Sequence, residues 1–350
     1  MRQLVLGLLL GAVGCLATHS VTAAAEPVLI ARPDAFKTLV NPPCSYCVTE
    51  ARRRAGELKP GEPVLSWTRF AHEGGAIQYR FFLEPYRVIS DTYGVFVYNP
   101  DAGYARGFKR SLDFTFHGCC NGVMVMKHKD GTLFSCLSGR AFACPRKGQR
   151  LQAIPTITTN WGYWNAAYPR SVNYRMFEKY QPIELTKSQN KDSLRSRGPA
   201  DKRLASQAEV IGVSHGGKTK AYPLALLARS GGLIRDTIAG KPITVLWYAP
   251  TRTAAVYAAE VDGTKAEGYK STRQVTLVLD RTAQSAPFVD LETKSHWGIE
   301  GRAQAGPLKG RTLRWVDSVQ CRWFAWSAEY PDTELHAAAA AEGKKAAASK

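Results

Sequence analysis

The stretch Gly139-Arg140-Ala141-Phe142-Ala143-Cys144-Pro145-Arg146-Lys147-Gly148-Gln149-Arg150-Leu151 has a counterpart 162 residues later. It is Gly301-Arg302-Ala303-Gln304-Ala305-Gly306-Pro307-Leu308-Lys309-Gly310-Arg311-Thr312-Leu313, aligned without a gap. The same shift carries Trp161 onto Trp323, Trp164 onto Trp326, Tyr168 onto Tyr330 and Pro169 onto Pro331. Self-similarity at a fixed offset constrains a fold more than any local pattern does, because both segments must close the same turns and bury the same faces. The expectation is an α+β, predominantly β chain of two tandem related domains that arose by internal duplication.

At 350 residues, two domains of ordinary size fit, each with its own core. Residues 1–25 read as a secretory signal peptide. Arg2 precedes an apolar run from Leu4 to Leu16, too short to span a membrane, and Ala23-Ala24-Ala25 supplies a small-residue cleavage site. The first, cysteine-rich copy is assigned to 26–186. A basic linker covers 187–203, where apolar residues are scarce. The second copy covers 204–336, and an Ala/Lys-rich disordered tail 337–350. Period-two segments such as Leu112–Phe116 and apolar runs such as Val95–Tyr98 and Ile243–Tyr248 read as strands. The i, i+3 pairs Trp161/Trp164 and Trp323/Trp326 read as helix faces packed on a sheet.

The net charge is +18. In a chain expected to be exported to the periplasm or cell envelope, such a charge points away from nucleic acid and towards an anionic envelope component as partner. No transmembrane span is expected, and the oligomeric state is left open.

Export also places the cysteines where disulfides persist. Cys44, Cys47, Cys119, Cys120, Cys136 and Cys144 all fall in the first half, and only Cys321 in the second. Cys44-Ser45-Tyr46-Cys47 lies at or just before the start of a helical segment that carries Arg52, Arg53 and Arg54. A helix N-terminus and nearby cations favour a thiolate, so a redox dithiol is one reading. Half of a metal site and a plain disulfide are the others. In His117-Gly118-Cys119-Cys120-Asn121-Gly122, the imidazole and two thiols read as a thiol redox site, as ligands to a transition metal, or as cysteines paired elsewhere. Cys136 and Cys144 correspond to Gly298 and Gly306, and a structural disulfide between them is the leading reading. Asp91 and Asp236 each precede Thr and read as turn caps. No P-loop, dinucleotide fingerprint or nucleophile elbow is present.

The segments Ala221-Tyr222-Pro223-Leu224, Arg235-Asp236-Thr237-Ile238-Ala239-Gly240-Lys241-Pro242 and Gly301–Leu313 resemble the bacterial domain-of-unknown-function family 3179, as do Trp323-Phe324-Ala325-Trp326 and Tyr330–Leu335. The resemblance spans roughly residues 205–336, with 80–175 as a diverged relative. It implies no established activity. Members commonly carry a Cys-Pro-Leu-Cys-like segment where this chain has Tyr98-Asn99-Pro100-Asp101-Ala102 and Tyr248-Ala249-Pro250-Thr251-Arg252. Some relatives of the first half are labelled as selenoproteins. The resemblance then implies that Cys119, Cys120 or one of Cys44 and Cys47 stands where selenocysteine can stand. Two functions remain in view: a cysteine-based redox or metal site in the first half, and a non-catalytic binding or scaffold module of the envelope.

Overall fold

A computed structural model describes residues 28–40, 59–70, 73–79, 86–90, 92–109, 113–143, 145–173, 191–262, 272–280, 282 and 285–337. The segment read as a signal peptide, Cys44 and Cys47 with the helical segment expected after them, Asp91, Cys144 and the tail beyond 337 lie outside them.

The chain is predominantly β, as its alternating and aromatic-rich segments imply. Two four-stranded sheets share one plan. In the first, the hairpin Pro63–Phe70/Glu73–Gln78 is flanked by Thr156–Asn160, antiparallel, and by Val172–Asn173, parallel. In the second, the hairpin Glu209–His215/Lys218–Pro223 is flanked by Ser318–Arg322, antiparallel, and by Glu334–Leu335, parallel. Between the flanking strands of each sheet runs a two-turn helix, Trp161–Ala167 or Trp323–Glu329. Each helix is fixed by the same device. Trp164 donates to Ser171 Oγ (2.8 Å) and lies 4.4 Å from the Tyr168 ring; Trp326 donates to Thr333 Oγ1 (2.9 Å) and lies 4.4 Å from the Tyr330 ring.

Meanders supply the remaining layers. Tyr86–Ser90, Gly94–Asn99 and Tyr104–Lys109 form one, with Lys37–Val40 at its edge. Leu233–Ile238, Lys241–Tyr248 and Thr253–Asp262 form its counterpart in the second half. A third sheet in the first half joins Leu29–Ala31, Phe114–Cys120, Val123–His128 and Leu133–Ser135. The repeated stretch closes the same loop in both places. Ala141 N–H bonds Gln149 O and Leu151 N–H bonds Gly139 O; Ala303 N–H bonds Arg311 O and Leu313 N–H bonds Gly301 O. Gly139 and Gly301 sit at φ of 70° and 78°, and a Cβ on either would strike the ring of Phe108 or Tyr257.

The cores draw on both halves. Trp323, Phe324 and Trp326 of the second half are buried among Val95, Tyr104, Met124 and Phe134 of the first. Trp161 and Trp164 of the first half are buried among Leu246, Tyr257, Phe288 and Trp297 of the second. Each hairpin sheet also packs on the meander of its own half. Residues 191–203, within the segment read as a linker, are built into the fold. The helix Lys191–Arg195 brings Ser193 Oγ to the Gly122 carbonyl (3.0 Å), while Ser196 Oγ accepts from the Gly122 N–H (3.0 Å). Arg197 lies over the Phe324 ring at 3.7 Å. No helix among the described residues is long and apolar enough to cross a membrane.

Candidate functional site

The hairpin Phe114–Cys120/Val123–His128 turns at Asn121 and Gly122, whose φ values of 53° and 78° suit a two-residue turn. A register shift between Phe116 and Gly118 places an extra residue, His117, in the strand and resets its alternation. Phe114, Phe116 and then Cys119 therefore face the core, and Cys120 comes to the other side, half-exposed. Cys119 is thereby set apart from the part-exposed His117 and Cys120. Among the described residues no group of three or more His, Cys, Asp and Glu is gathered as a metal ion requires.

Cys119, Cys120, Cys136 and Cys321 are thiols, none of them in a disulfide. Cys119, Cys136 and Cys321 belong to the same apolar core. Cys136 sits on the far side of the central strand, with its N–H on Met124 O at 2.9 Å. Burial pushes its thiol well above the ordinary range, and the nearby Cys119 and Glu329 add to the shift. Burial likewise raises the Cys321 thiol. Burial, followed by the Glu329 carboxyl, raises Cys120 to about 11. Burial and then the charge of Lys127 lower His117, which keeps its imidazole neutral near pH 7. Among the described residues, Cys120, Cys136 and Cys321 are therefore not poised as thiolates.

What the structure does assemble is a cleft of about 310 Å³ at the junction of the two halves. Cys120, Ser135, Arg140 and Lys147 come from the first half and Ala328 and Glu329 from the second. Glu329 ends the helix Trp323–Glu329 and meets two buried hydroxyls. Ser135 Oγ donates to its Oε2 at 2.9 Å, and Ser138 Oγ donates to its Oε1. Burial holds the Glu329 carboxyl above the usual carboxylate range, against the opposing pull of the two serines, Arg140 and Arg150. Arg140 and Lys147 are exposed on the cleft wall, and among the described residues neither has a carboxylate at ion-pair distance. Arg150, beside them, is committed. It bonds Ser138 O (3.0 Å), Ser214 Oγ (3.0 Å) and Asp317 (2.9 Å), and Asp317 also pairs with buried Arg106. This network joins the halves.

A second polar cluster was hidden from sequence reasoning. Asp236 lies within the strand Leu233–Ile238, where its Oδ1 accepts from the Thr237 N–H at 2.7 Å. Its Oδ2 accepts from Tyr222 (2.9 Å) and faces Lys220 (2.8 Å) and His336 Nδ1 (3.2 Å). Lys220 sits two residues before Tyr222 on one strand, and His336 follows the parallel strand Glu334–Leu335 beside it. Only the motif context of Tyr222 and Asp236 signalled it.

A family model described as a protein of unknown function, DUF3179, matches residues 90–333 and so spans both halves. No curated protein matches the chain, and no solved structure does.

Proposed function

The chain belongs to the DUF3179 family of proteins of unknown function, and from its own geometry we propose that it is a non-catalytic binding module whose junction cleft takes an anionic group. The observation that carries this reading is the pair Arg140 and Lys147 on the wall of the cleft, next to the committed Arg150. Two exposed cations on one wall suit a carboxylate or phosphate, which accepts charge-assisted hydrogen bonds from both. The apolar run Leu4–Leu16 before Ala23-Ala24-Ala25 supports export, which would make an anionic component of the cell envelope the partner. The equivalent loop bonds of the two repeated stretches support the reading that the halves are copies of one unit.

Thiol chemistry is the weaker reading for the described residues. Cys120 faces the cleft, but its raised pKa leaves it protonated near neutral pH, and no imidazole within the cleft serves as its base. Titration of the full chain with glycerol 3-phosphate, followed by calorimetry, tests the proposal. Binding should be saturable and salt-sensitive, and Arg140→Ala should weaken it about tenfold, the worth of one charged hydrogen bond. Absence of binding, or an affinity unchanged in the Arg140→Ala/Lys147→Ala double variant, rejects it.

A further inference from the structure

A second cavity, of about 180 Å³, lies at the other junction of the halves and has no part in the cleft above. Trp67, Trp164, Tyr257 and Trp315 line it together with Ser66 and Glu300. Its surroundings are those of the Arg106–Asp317–Arg150 network shifted by the repeat. Glu300 stands where Ser138 stands in the first half, Thr312 where Arg150 does, and Trp315 where Ala153 does. Pro155 occupies the place that Asp317 holds in the second half. At one junction the space is filled by two arginines clasping an aspartate. At the other, Thr312 and Pro155 stand in place of Arg150 and Asp317, and the space stays open.

What surrounds the open space is chemically specific. Trp67, Trp164 and Tyr257 are almost fully buried, and Trp315 is half-buried. Glu300 is held in place by Tyr163, which donates to Oε2 at 2.7 Å, and by Gln304, which donates to Oε1 at 3.1 Å. Arg302 is its neighbouring cation, with the guanidinium 5.5 Å from the Tyr168 ring centroid. Aromatic rings attract a cation through their quadrupole, most strongly one that sheds its water easily. A carboxylate held in low dielectric favours a counter-charge that can be brought in without strong hydration.

We propose that this cavity is a binding site for a small alkylated ammonium group, with Trp67, Trp164, Trp315 and Tyr257 as its aromatic walls and Glu300 as its counter-charge. The size and the single carboxylate select a compact head group over a polymer or a metal ion. Burial raises the Glu300 carboxyl above the usual range, so the site would bind better as pH rises and that carboxyl ionises.

Choline and its neutral isostere 3,3-dimethylbutan-1-ol, titrated into the full chain and followed by tryptophan fluorescence, separate charge recognition from simple apolar burial. Choline should give a saturable change and bind at least about tenfold more tightly than the alcohol, as cation–π contacts in a desolvated site imply. Trp315→Ala, which installs the residue that the other junction carries as Ala153, should weaken choline about tenfold. Glu300→Gln should abolish the preference for choline over the alcohol. No change on adding choline, equal binding of the two compounds, or choline binding untouched by Trp315→Ala overturns the proposal.

Discussion

At the residue scale, protonation separates the cleft from a reactive thiol site. Cys120 shares the cleft with Glu329, and burial and then that carboxyl lift its thiol to about 11. Alkylation by iodoacetamide should therefore gain about tenfold per pH unit up to about pH 10, since only the thiolate attacks. Cys119, Cys136 and Cys321 should react only after unfolding, because they lie in the core. A rate profile that levels off below pH 9 would show an activated Cys120 and return the thiol reading to favour. Glu329 adds a second test. Its carboxyl is raised on folding, so the folded state holds its proton more tightly than the unfolded chain does. Stability contributed by the protonated form is present below the unfolded carboxylate pKa and declines as pH rises through the folded one. Denaturant titrations should show Glu329→Gln gaining on the natural chain between acid and neutral pH. A difference that is flat with pH, or that runs the other way, contradicts the buried, raised carboxyl. The sequence offered no sign of Glu329. Its hydroxyl partners, Ser135 and Ser138, are 194 and 191 residues away. Nor does spacing reveal the bulge at His117, after which Cys119 lies in the core and Cys120 on the other side of the strand.

At the element scale, the helices Trp161–Ala167 and Trp323–Glu329 are too short to persist by propensity. Packing and capping hold them, and the two differ in their caps. Asn160 Oδ1 accepts from the Tyr163 N–H at 2.8 Å, whereas Arg322 makes no side-chain cap. Thermal or denaturant unfolding should show Asn160→Ala lowering stability by about 1 kcal/mol, the usual worth of such a cap. Trp326→Ala should cost about 3–5 kcal/mol, because the ring is 1 % exposed and its N–H bonds Thr333. A loss below about 1 kcal/mol for Trp326 would mean that the helix is not seated as described. These helices were legible from the i, i+3 tryptophans, and the loops beside them from the recurring glycines. What periodicity reports is that a face is buried, and it is silent about which sheet covers that face.

At the scale of the whole molecule, that silence matters most. A repeated sequence invites a reading as two beads, each with its own core. Yet each tryptophan helix lies in a core that takes residues from both halves, and Arg106 and Arg150 of the first half clasp Asp317 of the second. Both candidate binding sites lie at these crossings and take residues from both halves. Such an arrangement should unfold cooperatively, since residues of the opposite half complete the burial of each helix. Calorimetry of the full chain should give one transition, with calorimetric and van't Hoff enthalpies in agreement. The second half expressed alone, as residues 204–337, should expose Trp323, Phe324 and Trp326 and associate or lose its near-ultraviolet circular dichroism. Two separable transitions, or a monomeric second half with native tertiary signals, would restore the two-bead picture. Glycerol 3-phosphate and choline would then have to be sought on separate domains, because a site whose walls come from both halves cannot outlast the crossing that builds it.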